Sequence, residues 1–118
     1  MGFEFKIEER NGVLICFLSG RLFQEDDAKQ VYDTLDLELQ TNATHVIFQL
    51  ENLTHCNSSG LNVFMRTLTK TRIKGGDTYV CALNEQLTQL FGIAKINEIF
   101  SIQPSLEDAL QQINKAVK

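Results

Sequence analysis

The sequence predicts a single α/β domain: a mixed, mostly parallel β-sheet opened by an N-terminal β-hairpin, with about four α-helices. Three observations predict it. First, Phe3, Phe5 and Ile7 alternate with Glu4, Lys6 and Glu8, and Asn11-Gly12 then leads into the apolar run Val13 to Leu18. Alternation marks a half-buried strand, and Asn-Gly marks a hairpin because a type I′ turn needs positive φ at both residues. Second, beyond the hairpin, apolar runs of strand length alternate with stretches of helical spacing, which implies parallel strands joined by right-handed crossovers. Third, 118 residues with 43% apolar content suit one core, and no repeat, linker or low-complexity segment divides residues 1–118.

The elements follow in order. The returning strand, Val13 to Leu18, is nearly all apolar, as expected of a strand covered on both faces, and Ser19-Gly20 is expected to end it. Glu25-Asp26-Asp27 opens a helix, since acidic residues favour the positive end of the helix dipole. Ala28, Val31, Tyr32, Leu35 and Leu39 then recur at helical spacing until Thr41-Asn42. Val46 to Leu50 is the third strand. A second helix is expected from about Ser59 to Ile73, with Leu61, Phe64, Met65 and Leu68 inward and Gly75-Gly76 as its stop. Thr78 to Leu83 is a fourth strand. Asn84 can cap a short helix carrying Leu87, Leu90 and Phe91, and Ile99 to Ile102 is a weak fifth strand. Pro104 precedes a last helix in which Ser105 and Asp108 fit the capping-box spacing and Leu106, Ala109, Leu110, Ile113 and Val117 form an apolar stripe.

The net charge of −4 argues against a nucleic-acid binder that relies on bulk electrostatics. Cys16, Cys56 and Cys81 are odd in number, widely spaced and set in or beside apolar runs, so free buried thiols in a reducing cytoplasm are expected. The opening MGFEFKIEER is charged and lacks the apolar core of a signal peptide, and no stretch is long enough to span a membrane. His45, His55 and Cys56 do not form a tetrahedral metal set, and no cofactor is expected.

The most specific stretch is "THCNSSGLNVFM", residues 54–65, where a buried strand gives way to a helix. In parallel sheets functional groups gather beyond the carboxyl ends of strands. A serine oxygen there can cap the helix, and one serine is enough for that. The other hydroxyl is then spare, with Gly60 keeping its surroundings uncrowded. NSSG is neither the G-x-S-x-G elbow of a hydrolase nor a phosphate-binding P-loop. The basic run Arg66, Lys70, Arg72 and Lys74 reads as a solvated face complementing the helix C-terminus, or as a docking surface for an acidic partner.

With those residues in view, the chain resembles the STAS domain family, and within it the bacterial anti-sigma factor antagonists, essentially end to end. The resemblance lies in "VLICFLSGRL", in "HVIFQLENLTHCNSSGLNVF" and in "KGGDTYVCALNEQLTQLFGI". It implies a non-enzymatic, cytoplasmic regulator in a partner-switching pathway. Ser58, the first serine of the family's D-S/T-S-G-L element, would be phosphorylated by a partner that is both anti-sigma factor and serine kinase, and a phosphatase would restore it. Phe23, Asn57, Ser58, Ser59, Gly60 and Leu61 would form the switch loop and partner-binding surface. The implied partners are proteins, with no nucleic acid and no membrane, and the expected state is a monomer or weak homodimer. Two other readings stand beside this one: an unphosphorylated interaction scaffold, and a small-ligand or nucleotide-binding domain using the backbone N–H groups of the second helix. The chain departs from the family pattern at Asn57, where the motif begins with aspartate, and at Phe23, where members often carry another acid. An amide accepts no proton, so Ser58 is expected to be modified more slowly than beside an aspartate.

Overall fold

The computed structural model describes residues 2–116, so Val117 lies outside the described residues. The order is β1 (Phe3–Arg10), β2 (Val13–Leu22), α1 (Glu25–Glu38), β3 (His45–Cys56), α2 (Ser58–Ile73), β4 (Thr78–Cys81), α3 (Glu85–Ile93), β5 (Ser101–Gln103) and α4 (Leu106–Ala116). The expected α/β class is found. Asn11 and Gly12 both have positive φ, at 52° and 84°, as the hairpin turn demands. β1 pairs antiparallel with β2, while β2, β3, β4 and β5 are parallel neighbours in sequence order.

That order explains the layers. Three successive crossovers step in one direction across the sheet, so α1, α2 and α3 fall on one face. Leu14, Cys16 and Leu18 of β2, Val46, Phe48 and Leu50 of β3 and Val80 of β4 meet Val31 and Leu35 of α1, Phe64 and Leu68 of α2, and Leu87 and Phe91 of α3. The opposite face of β2, β3 and β4, with Ile15, Ile47 and Tyr79, packs on Ala109 and Ile113 of α4. A row of aromatic rings, Phe48, Phe64, Phe91 and Phe100, runs through the larger core with successive centroids 4.7, 5.9 and 5.9 Å apart.

Several boundaries differ from the sequence expectation. β2 does not stop at Ser19-Gly20 but runs on to Leu22, and β3 continues past Leu50 to Cys56. Both extensions pass through register irregularities, between Phe17 and Ser19 and between Gly20 and Arg21 on the β2 side. An extra residue on β3 flips its facing, so Glu51 and Asn52 are exposed and Leu53 is buried again. β4 ends at Cys81, before Leu83, and β5 begins at Ser101, after Ile99.

On α2, Phe64 and Leu68 are buried as expected, Leu61 and Met65 are half-buried, and Val63, Thr67 and Thr71 complete the inner face. Thr71 donates to Leu68 O at 3.0 Å, so its contact with Thr78 Oγ1 at 2.8 Å must be donated by Thr78. The basic run is not a free face. Lys74 Nζ reaches three carbonyls at the end of α1 and beyond it, Leu39 O, Thr41 O (3.0 Å) and Ala43 O (2.7 Å). Lys70 pairs with Asp36 at 2.6 Å, Arg66 lies 3.8 Å over the Tyr32 ring, and Arg72 binds Asp77 and Ile99 O. These side chains stitch α2 to its neighbours.

The two glycines after α2 serve different physical ends. Gly75 has φ of 87° in open space, the left-handed residue that ends a helix. A Cβ on Gly76 would sit 1.7 Å from the backbone oxygen of Thr44. Gly75→Ala is therefore expected to cost about 1 kcal/mol of stability, and Gly76→Ala about 3 kcal/mol or more. Urea unfolding at constant m-value separates them; equal midpoints would remove the Thr44 contact from the account.

Candidate functional site

The site is assembled by the ends of two parallel strands. Leu22 of β2 is opposite Cys56 of β3, so the residues that follow, Phe23 and Asn57, leave the sheet side by side. Asn57 N donates to Leu22 O at 3.3 Å. The chain then enters α2 at Ser58 on one side and α1 at Glu25 on the other.

Asn57 is the N-cap of α2. Its Oδ1 accepts from Ser59 N at 3.1 Å and Gly60 N at 3.4 Å, and its backbone oxygen accepts from Leu61 N at 3.0 Å. Capping thus falls to Asn57 and not to either serine. Ser58 is the first helical residue and is exposed; Ser59 is half-buried. Among the described residues neither serine hydroxyl makes a hydrogen bond, so both are spare. Asn57 Nδ2 donates to Phe23 O at 2.9 Å, across 34 positions of sequence. The amide oxygen is committed to backbone N–H groups and is not hydrogen-bonded to the Ser58 hydroxyl. In this arrangement the side chain at 57 is turned to the helix backbone and to Phe23 O and makes no contact with the serine proton.

Gly60 does not keep the surface open, as the sequence suggested; it is buried. A Cβ there would lie 2.6 Å from Cys56 Sγ and 3.1 Å from Leu22 Cδ2. Its absence lets the first turn of α2 settle onto the strand ends. Leu61 is half-buried against the larger core. Phe23 does not fold inward: it is 43% exposed, the one aromatic among the large apolar side chains that stand exposed among the described residues. Its ring meets His55 at 6.1 Å with planes at 61°. The structure therefore gathers Phe23, Asn57, Ser58 and Ser59 at one surface and places Gly60 and Leu61 beneath it.

Three residues of this neighbourhood, Thr54, His55 and Asn84, have contacts that the sequence reading did not assign. His55 Nδ1 lies 3.0 Å from Thr54 Oγ1, which in turn donates its single proton to Gly20 O at 3.0 Å. Nδ1 must therefore carry the ring proton in neutral His55, leaving Nε2 as the acceptor. Asn84 does more than cap α3 through Leu87 N at 2.7 Å; its Nδ2 holds Leu53 O at 3.2 Å and Thr54 O at 3.3 Å, fixing the end of β3. Only an asparagine at a helix start, able to donate as well as accept, could have signalled this. Beside the junction a groove of about 430 Å³ runs between α1 and α2, lined by Glu25, Asp26, Lys29, Tyr32, Ser59 and Arg66.

The chemistry available is limited. Ser58 N–H is the one donor of the first turn left without a partner among the described residues, because Asn57 occupies the next three. A single N–H makes a poor anion cradle, which weighs against the small-ligand reading. Burial pushes the Cys56 and Cys81 thiols up to about 12 and raises that of Cys16 further, so none is an activated thiolate. Among the described residues no group of His, Cys, Asp and Glu is placed to hold a metal ion, and no helix is long and apolar enough to cross a membrane.

Comparison with known proteins places this geometry. Residues 4–109 match the family model of the STAS domain. The anti-sigma F factor antagonist of Paenibacillus polymyxa is 29% identical over 114 residues, covering 96% of this chain and 97% of that protein. Among solved structures, the anti-sigma factor antagonist SpoIIAA in its unphosphorylated form superposes with a TM-score of 0.86 at 17% identity, over 95% of this chain and 97% of that one. The phosphorylated form of SpoIIAA, a cell-fate determinant of Bacillus, gives 0.76 at 17% identity, over 93% and 99%.

The Gly60 packing generates a test. Gly60→Ala is expected to destabilise by about 1–3 kcal/mol through overpacking. Removing the sulfur in Gly60→Ala/Cys56→Ala should recover part of that loss, with a coupling of about 0.5–3 kcal/mol in a double-mutant cycle. Strict additivity of the two changes would show that Gly60 is not held against Cys56.

Proposed function

The chain belongs to the STAS domain family, and on that premise we propose that it is an anti-sigma factor antagonist working as a single domain over residues 1–118. It binds an anti-sigma factor that is also a serine kinase, and so releases a sigma factor. Phosphorylation of Ser58 ends that binding, and a phosphatase restores it. The protein is a substrate of these enzymes and not an enzyme itself. It acts in the cytoplasm, as a monomer or weak homodimer. Phe23, Asn57, Ser58 and Ser59 form the surface the partner meets, with Gly60 and Leu61 supporting it.

One observation carries the reading: Ser58 presents an exposed hydroxyl with no structural task at the first position of α2, because Asn57 has taken over the cap. The relative from Paenibacillus polymyxa, named an anti-sigma F factor antagonist, and the two solved states of SpoIIAA support it.

The mechanism is electrostatic. A phosphate adds about −1.5 to −2 charges. At the N-terminus of α2 the dipole and the free Ser58 N–H tolerate that charge, so the fold is not disturbed. A partner surface shaped for a neutral hydroxyl does not tolerate it, since unmatched charge at an interface costs several kcal/mol and each ~1.4 kcal/mol is tenfold in affinity.

The neutral site also favours a second reading, in which the chain is an interaction scaffold whose serine is never modified. Asn57 supplies neither charge nor proton acceptor to Ser58. Intact-mass measurement after incubation with a cognate kinase and ATP separates the two, and a stable complex without phosphate transfer selects the scaffold.

Ser58→Ala is expected to keep partner binding and block modification. Ser58→Glu should leave the melting temperature within a few degrees while weakening the complex at least tenfold, about 1.4 kcal/mol or more. Phosphate mapped to Ser59, or unfolding of Ser58→Glu, would overturn the assignment.

A further inference from the structure

We infer that the Asn57 carboxamide is a clasp that positions Phe23 beside the start of α2, and that an aspartate cannot replace it in this chain. The turn that carries Phe23 has few other anchors. Gln24, the N-cap of α1, makes no side-chain capping bond, and the Phe23 ring is exposed, touching His55 edge-on. Beyond the Asn57 N–Leu22 O bond at the end of the sheet, what ties the turn to the start of α2 is a carboxamide facing two ways. Oδ1 accepts from Ser59 N and Gly60 N, while Nδ2 donates to Phe23 O at 2.9 Å. Two backbone donors on one side and a carbonyl acceptor on the other match an amide and nothing charged.

An aspartate would keep the capping half of this arrangement and strengthen it, because a carboxylate suits a helix N-terminus. Its second oxygen would face the Phe23 carbonyl, two acceptors with no proton between them. Phe23 would then lose its side-chain anchor and loosen between the flanking backbone bonds of Leu22 O and Gln24 O, while the helix stayed capped. A serine at 57 would likewise cap without reaching Phe23 O. The clasp thus couples the neutral residue at 57 to the apolar residue at 23: one presents the other to a partner whose matching contact is apolar.

The binding arm of the test rests on the partner-switching reading; the structural arm does not. In the 15N-labelled chain of residues 1–118 one Asn57 side-chain NH₂ proton should be shifted downfield and exchange slowly. In Asn57→Asp and Asn57→Ser, amide order parameters at Phe23 and Gln24 should fall from about 0.85 to below about 0.6, with the melting temperature held within a few degrees. Affinity for an anti-sigma factor that binds the wild-type chain should drop about 3- to 10-fold, the worth of one neutral hydrogen bond. Phe23→Ala should weaken the complex at least as much, and adding Asn57→Asp to it should cost little more. Unchanged order at Phe23 in Asn57→Asp overturns the clasp. Lost order with unchanged affinity overturns its positioning role. If the wild-type chain binds no anti-sigma factor, the functional reading fails by itself, and the order parameters alone decide the clasp: lost order sustains it and retained order removes it.

Discussion

Where a parallel strand ends and a helix begins, the backbone has carbonyls and N–H groups with no regular partner, and the architecture depends on how they are satisfied. Two asparagines carry that task here. Asn57 caps α2 and holds Phe23 O; Asn84 caps α3 and holds Leu53 O and Thr54 O. Serine, threonine or aspartate would meet the helix half of each requirement and leave the strand half open. Because Asn57 meets both, the adjacent serines have no structural work, and a hydroxyl at the first helical position stays available. The chemical freedom of Ser58 is thus a consequence of the residue before it.

The same constraint shows how much of the fold was legible in the sequence. Asn11-Gly12 fixed the hairpin because φ at both positions has few alternatives, and helical spacing in α1 and α2 placed the inner faces of both. Strand length was hidden. Glu51-Asn52 breaks the apolar run of β3, yet the strand passes through a bulge, with Glu51 N bonded to the Gln49 side chain at 3.0 Å and Thr54 returning to Gly20 O. A period-two reading cannot see a strand that changes phase partway. The basic run on α2 looked like a solvated face because charge alone does not reveal that Lys74 ends among the carbonyls at Leu39, Thr41 and Ala43.

At the site, sequence adjacency placed Asn57 through Leu61 together. The approach of Phe23 depends on the Leu22–Cys56 register, which no local pattern encodes, so it came only from a family resemblance. Its pairing with His55 was not foreseen at all, since a 6.1 Å ring contact between strand ends 32 positions apart leaves no periodic trace. Gly60 was noticed for the wrong reason. What matters is the sulfur of Cys56 and the methyl of Leu22 beneath it, not open space around it.

The electrostatics of the junction sharpen what a modification there would do. From Asn57 to Met65 no side chain is ionisable in the carboxylate or ammonium sense, and Phe23 adds no charge across the gap. The nearby charges are Arg21, in register with His55, and those of the groove: Glu25, Asp26 and Lys29 from α1 and Arg66 from α2, the last held over Tyr32. A phosphate on Ser58 would therefore turn an uncharged contact surface into one carrying about −1.5 to −2 charges. Where acids already stand at the positions of Asn57 and Phe23, a partner must accommodate negative charge before modification, and a phosphate changes that surface by degree. Here the change is one of kind. A partner that buries Phe23 in an apolar pocket would have to desolvate the new charge beside it, and burying an unpaired charge costs far more than adding to a surface already matched with cations. Neutrality at 23 and 57 thus works in one direction. It leaves these two positions without charge, so that a phosphate on Ser58 would bring charge where none stands.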